Sequence, residues 1–163
     1  MLGIFSCASS SSSDSAGAYN YESNVDIKTM RLMNAILDEY APEATVYVMG
    51  KQPLGFMILG LANKVGPHTY TIQYASINPA VQETMFHEMG HIIDSEMGRL
   101  DFRGGMKWDG KDCDFSQSWD KRPWEISANE WRDCLRYEYA NKQLKHYNYQ
   151  EEAFLEAINC ITW

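Results

Sequence analysis

Two stretches of the chain, residues 26–41 and 150–161, place apolar side chains at every third or fourth position. That spacing predicts amphipathic helices, each with one buried face. Ser23 or Asn24 can cap the start of the first helix, and Pro42 lies just beyond its end. We expect the apolar faces of both helices to pack in the core.

Proline marks the start of two further helices. One is predicted over residues 78–98, with Asn78 or Ser76 as its N-cap. The other is predicted over residues 123–144. The chain is therefore expected to contain four helices.

Three runs rich in β-branched and aromatic residues, 44–49, 54–61 and 69–77, precede the second helix. The short connections between them favour adjacent, mostly antiparallel strands. In the third run large and polar residues alternate. This pattern is typical of an edge strand, either an ordinary one or one to which an extended peptide adds through backbone hydrogen bonds. The predicted fold class is α+β: an N-terminal helix, a small, mostly antiparallel three-stranded sheet, two central helices and a C-terminal helix.

The remaining segments contain turn-forming and small polar residues. Residues 6–18 are rich in serine, which predicts a disordered tail over residues 1–22 followed by a single domain over residues 23–163. Asp109-Gly110 predicts a small hairpin, within a loop long enough to cover a functional site.

Length and charge limit the classes of partner. A chain of 163 residues suits one domain, and its formal net charge of −8 gives a pI near 4.9. Nucleic acids and anionic membranes bind clustered positive charge, but the 14 Lys and Arg residues form no run. We therefore expect neither a nucleic-acid nor a membrane partner. The oligomeric state is left open.

The four cysteines, Cys7, Cys113, Cys134 and Cys160, are scattered and show no C-x-x-C spacing. Scattered cysteines predict free thiols in a reducing compartment rather than a disulfide framework. This favours a cytoplasmic protein, in a host cell or associated with a virion.

The most informative motif is His87-Glu88-Met89-Gly90-His91, in the helix predicted over residues 78–98. Because an α-helix turns about 100° per residue, histidines four positions apart point from one face and can hold one ion. H-E-x-x-H helices bind zinc, and the intervening glutamate takes a proton from water. The motif predicts a metallohydrolase with His87 and His91 as ligands and Glu88 as general base. The alternative is that carboxylates or carbonyls satisfy both histidines in a packed helix.

Other polar residues are candidates to complete this site. Asp94, three residues after His91, is predicted to orient a histidine through its second ring nitrogen, or else to be a solvated carboxylate. A zinc site also needs a third protein ligand. His68 and His146 have no matching motif, and Glu125 is the better candidate. Asn129, one turn after Glu125, can then hydrogen-bond a ligating histidine.

The pair of motifs, H-E-x-G-H at residues 87–91 and E-x-x-A-N at residues 125–129, resembles those of the gluzincin metallopeptidases. It is most similar to the compact proteases that act on phage-type repressors and to the catalytic domain of anthrax lethal factor. In the latter, a longer H-E-x-G-H-x-x-D also matches Asp94. The resemblance implies a zincin-like fold, Zn²⁺ held by His87, His91 and Glu125, and a protein or peptide substrate.

The chain differs from the enzymes that it resembles in one residue expected to stabilise the oxyanion, the negatively charged oxygen that develops during peptide hydrolysis. The toxin-like enzymes have a tyrosine a few residues before the ligand glutamate, and this chain has none there. Tyr137 and Arg132, further along the same helix, are candidates to replace it; losing one such donor typically costs about 100- to 1000-fold in rate. The first hypothesis is therefore a zinc-dependent endopeptidase. The second is a catalytically weak or inactive zincin-like binding or structural module, such as a phage-encoded particle component or an anti-host factor.

Overall fold

The computed structural model of the protein describes residues 16–20, 25–52, 54–55, 57–75 and 80–161. This part of the chain has an α+β architecture with four α-helices, as predicted. In chain order the elements are β1 (Gly17–Asn20), α1 (Ile27–Tyr40), β2 (Thr45–Gln52), β3 (Gly60–Gly66), β4 (Thr69–Ala75), α2 (Val81–Glu96), β5 (Leu100–Asp101), β6 (Lys107–Trp108), β7 (Lys111–Asp112), a 3₁₀ helix (Trp119–Lys121), α3 (Pro123–Ala140) and α4 (Tyr149–Ile161).

The main sheet has four strands in the order β1-β2-β4-β3 and is mixed. β1 and β4 run parallel to β2, and β3 runs antiparallel to β4. The prediction of a mostly antiparallel three-stranded sheet is therefore wrong. So is the prediction that the tail extends to residue 22, because Gly17–Asn20 forms β1; residues 1–15 lie outside the described part.

Burial explains why β4 rather than β3 occupies an interior position in the sheet. β4 contributes three fully buried side chains, Tyr70, Ile72 and Tyr74, whereas Leu61 and Val65 on β3 are exposed. The more apolar strand gains more from lying between two neighbours. β3 is consequently an edge strand, and the prediction that the run 69–77 forms the edge is wrong.

The core lies between this sheet and two helices. α1 contacts β1, α2 contacts β3 and β4, and the two helices contact each other, so they lie side by side on the sheet. Asp26 caps α1, where its carboxylate accepts the backbone N–H of Thr29 at 2.9 Å. The predicted caps Ser23, Asn24, Ser76 and Asn78 lie outside the described residues. The largest fully buried side chains include Leu32, Met33, Ile36, Met85, Phe86, Met89, Ile92 and Ile93.

Helix α4 contributes less to the core than its apolar pattern predicts. Phe154 is 64% exposed and Ile158 is 41% exposed, whereas Leu144 and Tyr147, just before the helix, are buried. Ion pairs join Lys28 and Arg31 of α1 to glutamates of α4. Residues of the connection before α4 therefore close the core, rather than the apolar face of α4 itself.

Two smaller predictions concern the hairpin and the cysteines. β6 and β7 pair antiparallel, and Asp109 and Gly110 between them have φ angles of 47° and 78°, as expected for a tight hairpin turn. Cys113 and Cys134 are free thiols. Among the helices that the structure describes, none has the length and apolar character needed to cross a membrane.

Candidate metal centre

The side chains of His87, His91 and Glu125 converge on one point between α2 and α3. Glu125 Oε2 lies 3.1 Å from His87 Nε2 and 3.4 Å from His91 Nε2. Two ligands of a tetrahedral zinc ion, with bonds of about 2.0–2.1 Å, are separated by about 3.3–3.4 Å. The three residues could therefore hold one metal ion, and the two distances from Glu125 to the histidines are close to this separation.

Gly90 allows the two helices to come this close. A Cβ atom at this position would lie 2.8 Å from Trp131 Cβ and 3.0 Å from Ala128 Cα, so any larger residue would push α3 away. Gly90 lies in the helical turn between the two histidines. Glu125, one turn before Ala128, is consequently carried onto the imidazoles.

A hydrogen bond fixes the orientation and tautomer of His87. Its Nδ1 lies 3.1 Å from Asn129 Oδ1, which also accepts Arg132 Nη1 at 3.0 Å. Because a guanidinium only donates, the amide atom between them is the oxygen, and His87 Nδ1 carries the proton. With Nδ1 donating to Asn129, His87 turns Nε2 towards the Glu125 carboxylate. Two acceptors at this distance repel each other unless a proton or a metal ion lies between them.

The charges around the site favour a cation. Burial lowers the pKa of His91, but the hydrogen bond with Glu125 and the nearby carboxylates of Glu88 and Asp94 outweigh it and raise that pKa. Burial raises the pKa of Glu125, but its close contacts with the His87 and His91 imidazoles prevail and lower that pKa to about 2. A pocket that stabilises positive charge on the His91 imidazole and negative charge on the Glu125 carboxylate could also accommodate a metal cation.

Glu88 lies beside this point and is almost completely buried. The backbone of Ala62, on the edge strand β3, hydrogen-bonds its carboxylate. Gly60 lies against the same group, since a Cβ there would come within 2.6 Å of Glu88 Oε1. Burial raises the pKa of Glu88, although the two imidazoles oppose that shift.

Asp94 is fully buried, which excludes the alternative of a solvated carboxylate. Its Oδ1 accepts Trp131 Nε1 at 3.2 Å and Arg99 Nη1 at 3.4 Å, and the predicted hydrogen bond to a histidine is not formed. Asp94 Oδ2 and His91 Nδ1 are the buried side-chain polar atoms without a partner in the described ranges. A hydrogen bond between these two atoms, three residues apart on α2, would satisfy both.

The two candidate oxyanion stabilisers do not reach the centre. Tyr137 is 61% exposed and lies twelve residues after Glu125, about 18 Å along the helix axis. Arg132 contacts Asn129, behind the His87 ring and away from Glu125. His68, the alternative ligand, hydrogen-bonds Glu96 at the far end of α2 and, with Glu43, forms a second, largely exposed cluster there.

No sequence motif pointed to Trp119, which lies next to this candidate metal centre. Its ring stacks on that of His87, with centroids 5.6 Å apart and planes inclined by 26°. Trp119 belongs to the 3₁₀ helix just before α3. Within the loop predicted to cover a functional site, this side chain lies against the His87 ring.

We expect Asn129→Ala to weaken the binding of zinc, used as a probe ion, by about 10- to 100-fold. The substitution leaves His87 Nδ1 without its acceptor, so the imidazole can rotate or change tautomer. Competition with a chromophoric chelator measures the dissociation constant. Asn141→Ala, at the exposed C-terminal end of α3, is the matched control. Equal affinities of the two variants would contradict this role of Asn129.

Comparison of the chain with protein-family models, with curated proteins and with solved structures finds no match. A function for this centre therefore has to be supported by the geometry and chemistry of its own residues.

Proposed function

We propose that the protein is a zinc-dependent endopeptidase of the gluzincin type with a zincin-like fold. The observation that carries the proposal is the convergence of His87, His91 and Glu125 on one point, with the buried carboxylate of Glu88 beside it. The order of a helix, a sheet, an H-E-x-x-H helix and a glutamate helix also agrees with that assignment.

The donor set favours zinc over other divalent ions. Two imidazole nitrogens and one carboxylate oxygen suit Zn²⁺, whereas Mg²⁺ and Ca²⁺ prefer oxygen ligands. Three protein ligands leave a fourth position open, as in catalytic zinc sites. Zinc in such a site supplies Lewis acidity, which polarises a carbonyl and makes water more acidic.

Glu88 acts as the general base in this proposal. Its carboxylate takes a proton from the water that attacks the scissile carbonyl carbon and then gives it to the leaving amine as the C–N bond breaks. A carboxylate with a raised pKa is the stronger base near neutral pH. The hydrogen bond with the Ala62 backbone and the close contact with Gly60 hold the Glu88 carboxylate in one position.

The edge strand β3 supports a polypeptide substrate. β3 pairs with β4 on one side only, and the backbone of Ala62 on this edge strand hydrogen-bonds the Glu88 carboxylate. An extended peptide can add to such an edge through backbone hydrogen bonds, which would bring its main chain to the general base. The net charge of −8 favours basic or neutral substrates over acidic ones.

Metal removal tests the proposal. We expect the purified protein to contain about one zinc per chain, a stoichiometry set by one three-residue site, and to hydrolyse casein or a mixed peptide library. Dialysis against a chelator should abolish hydrolysis, and added zinc but not magnesium should restore it. Hydrolysis that persists in the metal-free protein would refute the proposal.

One observation favours the second candidate function, a zincin-like binding module without turnover. In the part of the chain that the structure describes, neither Tyr137 nor Arg132 reaches the centre to stabilise an oxyanion. Such a module would bind zinc and lose thermal stability on chelation, because an ion bound only by the folded state stabilises it. It would show no hydrolysis of any library member, which separates it from the peptidase.

A further inference from the structure

A pocket of about 370 Å³ lies at the turn between β3 and β4. Residues 64–68 and Arg103 line it, and its ionisable side chains, Lys64, His68 and Arg103, are all basic. The chain as a whole carries a net charge of −8. A pocket lined by basic groups in an acidic protein is a local region of positive potential, which attracts anions.

This pocket is separate from the metal centre. β3 begins at Gly60, whose backbone lies against Glu88, and ends at Gly66 in the pocket wall. The strand between these two glycines spans about 20 Å. A ligand in the pocket therefore does not contact the residues proposed to hold zinc.

The ammonium group of Lys64 is held in place by neutral groups. Its Nζ donates to Ser95 Oγ at 3.3 Å and lies over the Tyr70 ring, 5.1 Å from the ring centroid. A hydroxyl and an aromatic face position the ammonium without neutralising its charge. The charge of Lys64 is thus available to a ligand.

Arg103 comes from the loop after β5. Its Nε donates to Asp101 Oδ1 at 3.2 Å, and its backbone N–H donates to the same oxygen at 3.0 Å. The Nε contact leaves the Nη donors of the guanidinium to a ligand. The backbone and side chain of Arg103, together with the charge of Lys64, lower the pKa of Asp101. Lys64 and Arg103 therefore lie close enough to act on one anionic group.

His68 occupies a backbone position that favours glycine. Its φ angle is 52°, and it follows Pro67 in the two-residue connection between β3 and β4. Proline followed by a residue of positive φ is the pattern of a type II turn, in which glycine is usual at the second position. Glu96 Oε2 lies 2.7 Å from His68 Nδ1 and orients the ring, and Glu43 Oε2 lies 3.6 Å from Nε2; neither glutamate lines the pocket. An oriented histidine at a strained position indicates a use for its side chain.

We propose that Lys64, His68 and Arg103 form a binding site for a phosphate group. The arginine fork matches the oxygens of a phosphate, and the lysine ammonium supplies a compact positive charge. Three basic groups suit a phosphate, which carries about −1.5 to −2 charges near neutral pH, better than a singly charged carboxylate. The inference does not depend on the proposed peptidase function.

Titration with inorganic phosphate, followed by amide chemical shifts in NMR spectra, tests the proposal. We expect saturable shifts in residues 64–69 and 101–103, and none there with sodium chloride at the same ionic strength. Phosphate bound to zinc would instead shift the amides of residues 87–91. Absence of saturable shifts at the pocket would overturn the proposal.

Lys64→Met should weaken phosphate binding by about 10- to 100-fold, the range for hydrogen bonds to charged groups. The methionine keeps the apolar contact with Tyr70. Arg103→Gln, at an exposed position, should have a similar effect without disturbing the core. Lys111→Met is the matched control, because Lys111 is exposed on β7 and does not line the pocket. Equal affinities of these three variants would overturn the proposal.

Asp101→Asn should strengthen phosphate binding by about 2- to 5-fold, the range for an exposed ion pair. The substitution removes the carboxylate that competes with phosphate for Arg103. The amide oxygen of asparagine can still accept the Arg103 backbone N–H. Weaker binding by this variant would contradict a site of positive charge.

The source of the phosphate group is determined with a neutral peptide that carries one phosphoserine. Tighter binding of this peptide than of inorganic phosphate would identify a phosphorylated polypeptide as the ligand class. Equal affinities would identify a free or small-molecule phosphate. Equal binding of the phosphorylated and unphosphorylated peptides would overturn the proposal.

Discussion

Glu88→Gln is expected to lower kcat/KM for peptide hydrolysis by about 100- to 10,000-fold while the zinc content stays at the parent level. The amide has nearly the same shape as the carboxylate but cannot accept a proton at neutral pH. None of the three proposed ligands is altered. The measurements are steady-state hydrolysis of a quenched fluorescent peptide and elemental analysis of the same samples.

The control for this substitution is Glu130→Gln, which removes a carboxylate from the exposed face of α3. We expect its kinetics and zinc content to equal those of the parent. Hydrolysis by Glu88→Gln at the parent rate would exclude Glu88 as the general base and, with it, the mechanism proposed above. Loss of zinc from Glu88→Gln would show instead that the residue is structural.

Glu125→Ala is expected to reduce zinc affinity by more than the roughly 10- to 100-fold that follows loss of a hydrogen-bonding partner of a ligand. The substitution removes one of three proposed protein ligands and leaves two imidazoles. It also removes the carboxylate with which both imidazoles form ion pairs. Competition with a chromophoric chelator gives the dissociation constant. Elemental analysis after gel filtration shows whether the ion is retained.

Glu130→Ala provides the matched comparison for this ligand. Glu130 lies on the same helix, rotated by about 140° from Glu125, and cannot reach the histidines. The zinc affinity of the Glu130→Ala variant should equal that of the parent protein. Retention of stoichiometric zinc by Glu125→Ala would mean that the two helices do not share an ion.

The features predicted correctly from the sequence depend on neighbouring residues or on the regular spacing of residues along a single helix. The positions of His87 and His91 on one face, and of Asn129 one turn after Glu125, follow from helix geometry alone. The turn at Asp109-Gly110 likewise follows from residues that tolerate positive φ. Convergence of Glu125 with the histidines could be expected only from the resemblance of the paired motifs, and the structure brings the three residues together.

The features that the sequence did not predict depend on contacts between distant segments. Alternation in β4 shows that one face is covered, but it does not show which strands lie on either side, so the pattern alone does not predict the interior position that β4 occupies. The partners of Asp94 are Trp131 on another helix and Arg99 beyond the end of α2. Trp119 reaches His87 only because Arg122 and Phe115 fix the path of the preceding loop.

The close approach at Gly90 has a consequence for how the chain tolerates change. Direct packing of α2 against α3 sets the distances between Glu125 and the two histidines, so the length of the connecting segment does not. Gly104 and Gly105 in that segment are exposed, and a Cβ at either would meet no atom within 4 Å. Doubling a flexible loop costs only about 0.6 kcal/mol in closure entropy. A reporter peptide could thus be inserted between these two glycines without altering the geometry of the centre, whereas one methyl group at residue 90 would disturb it.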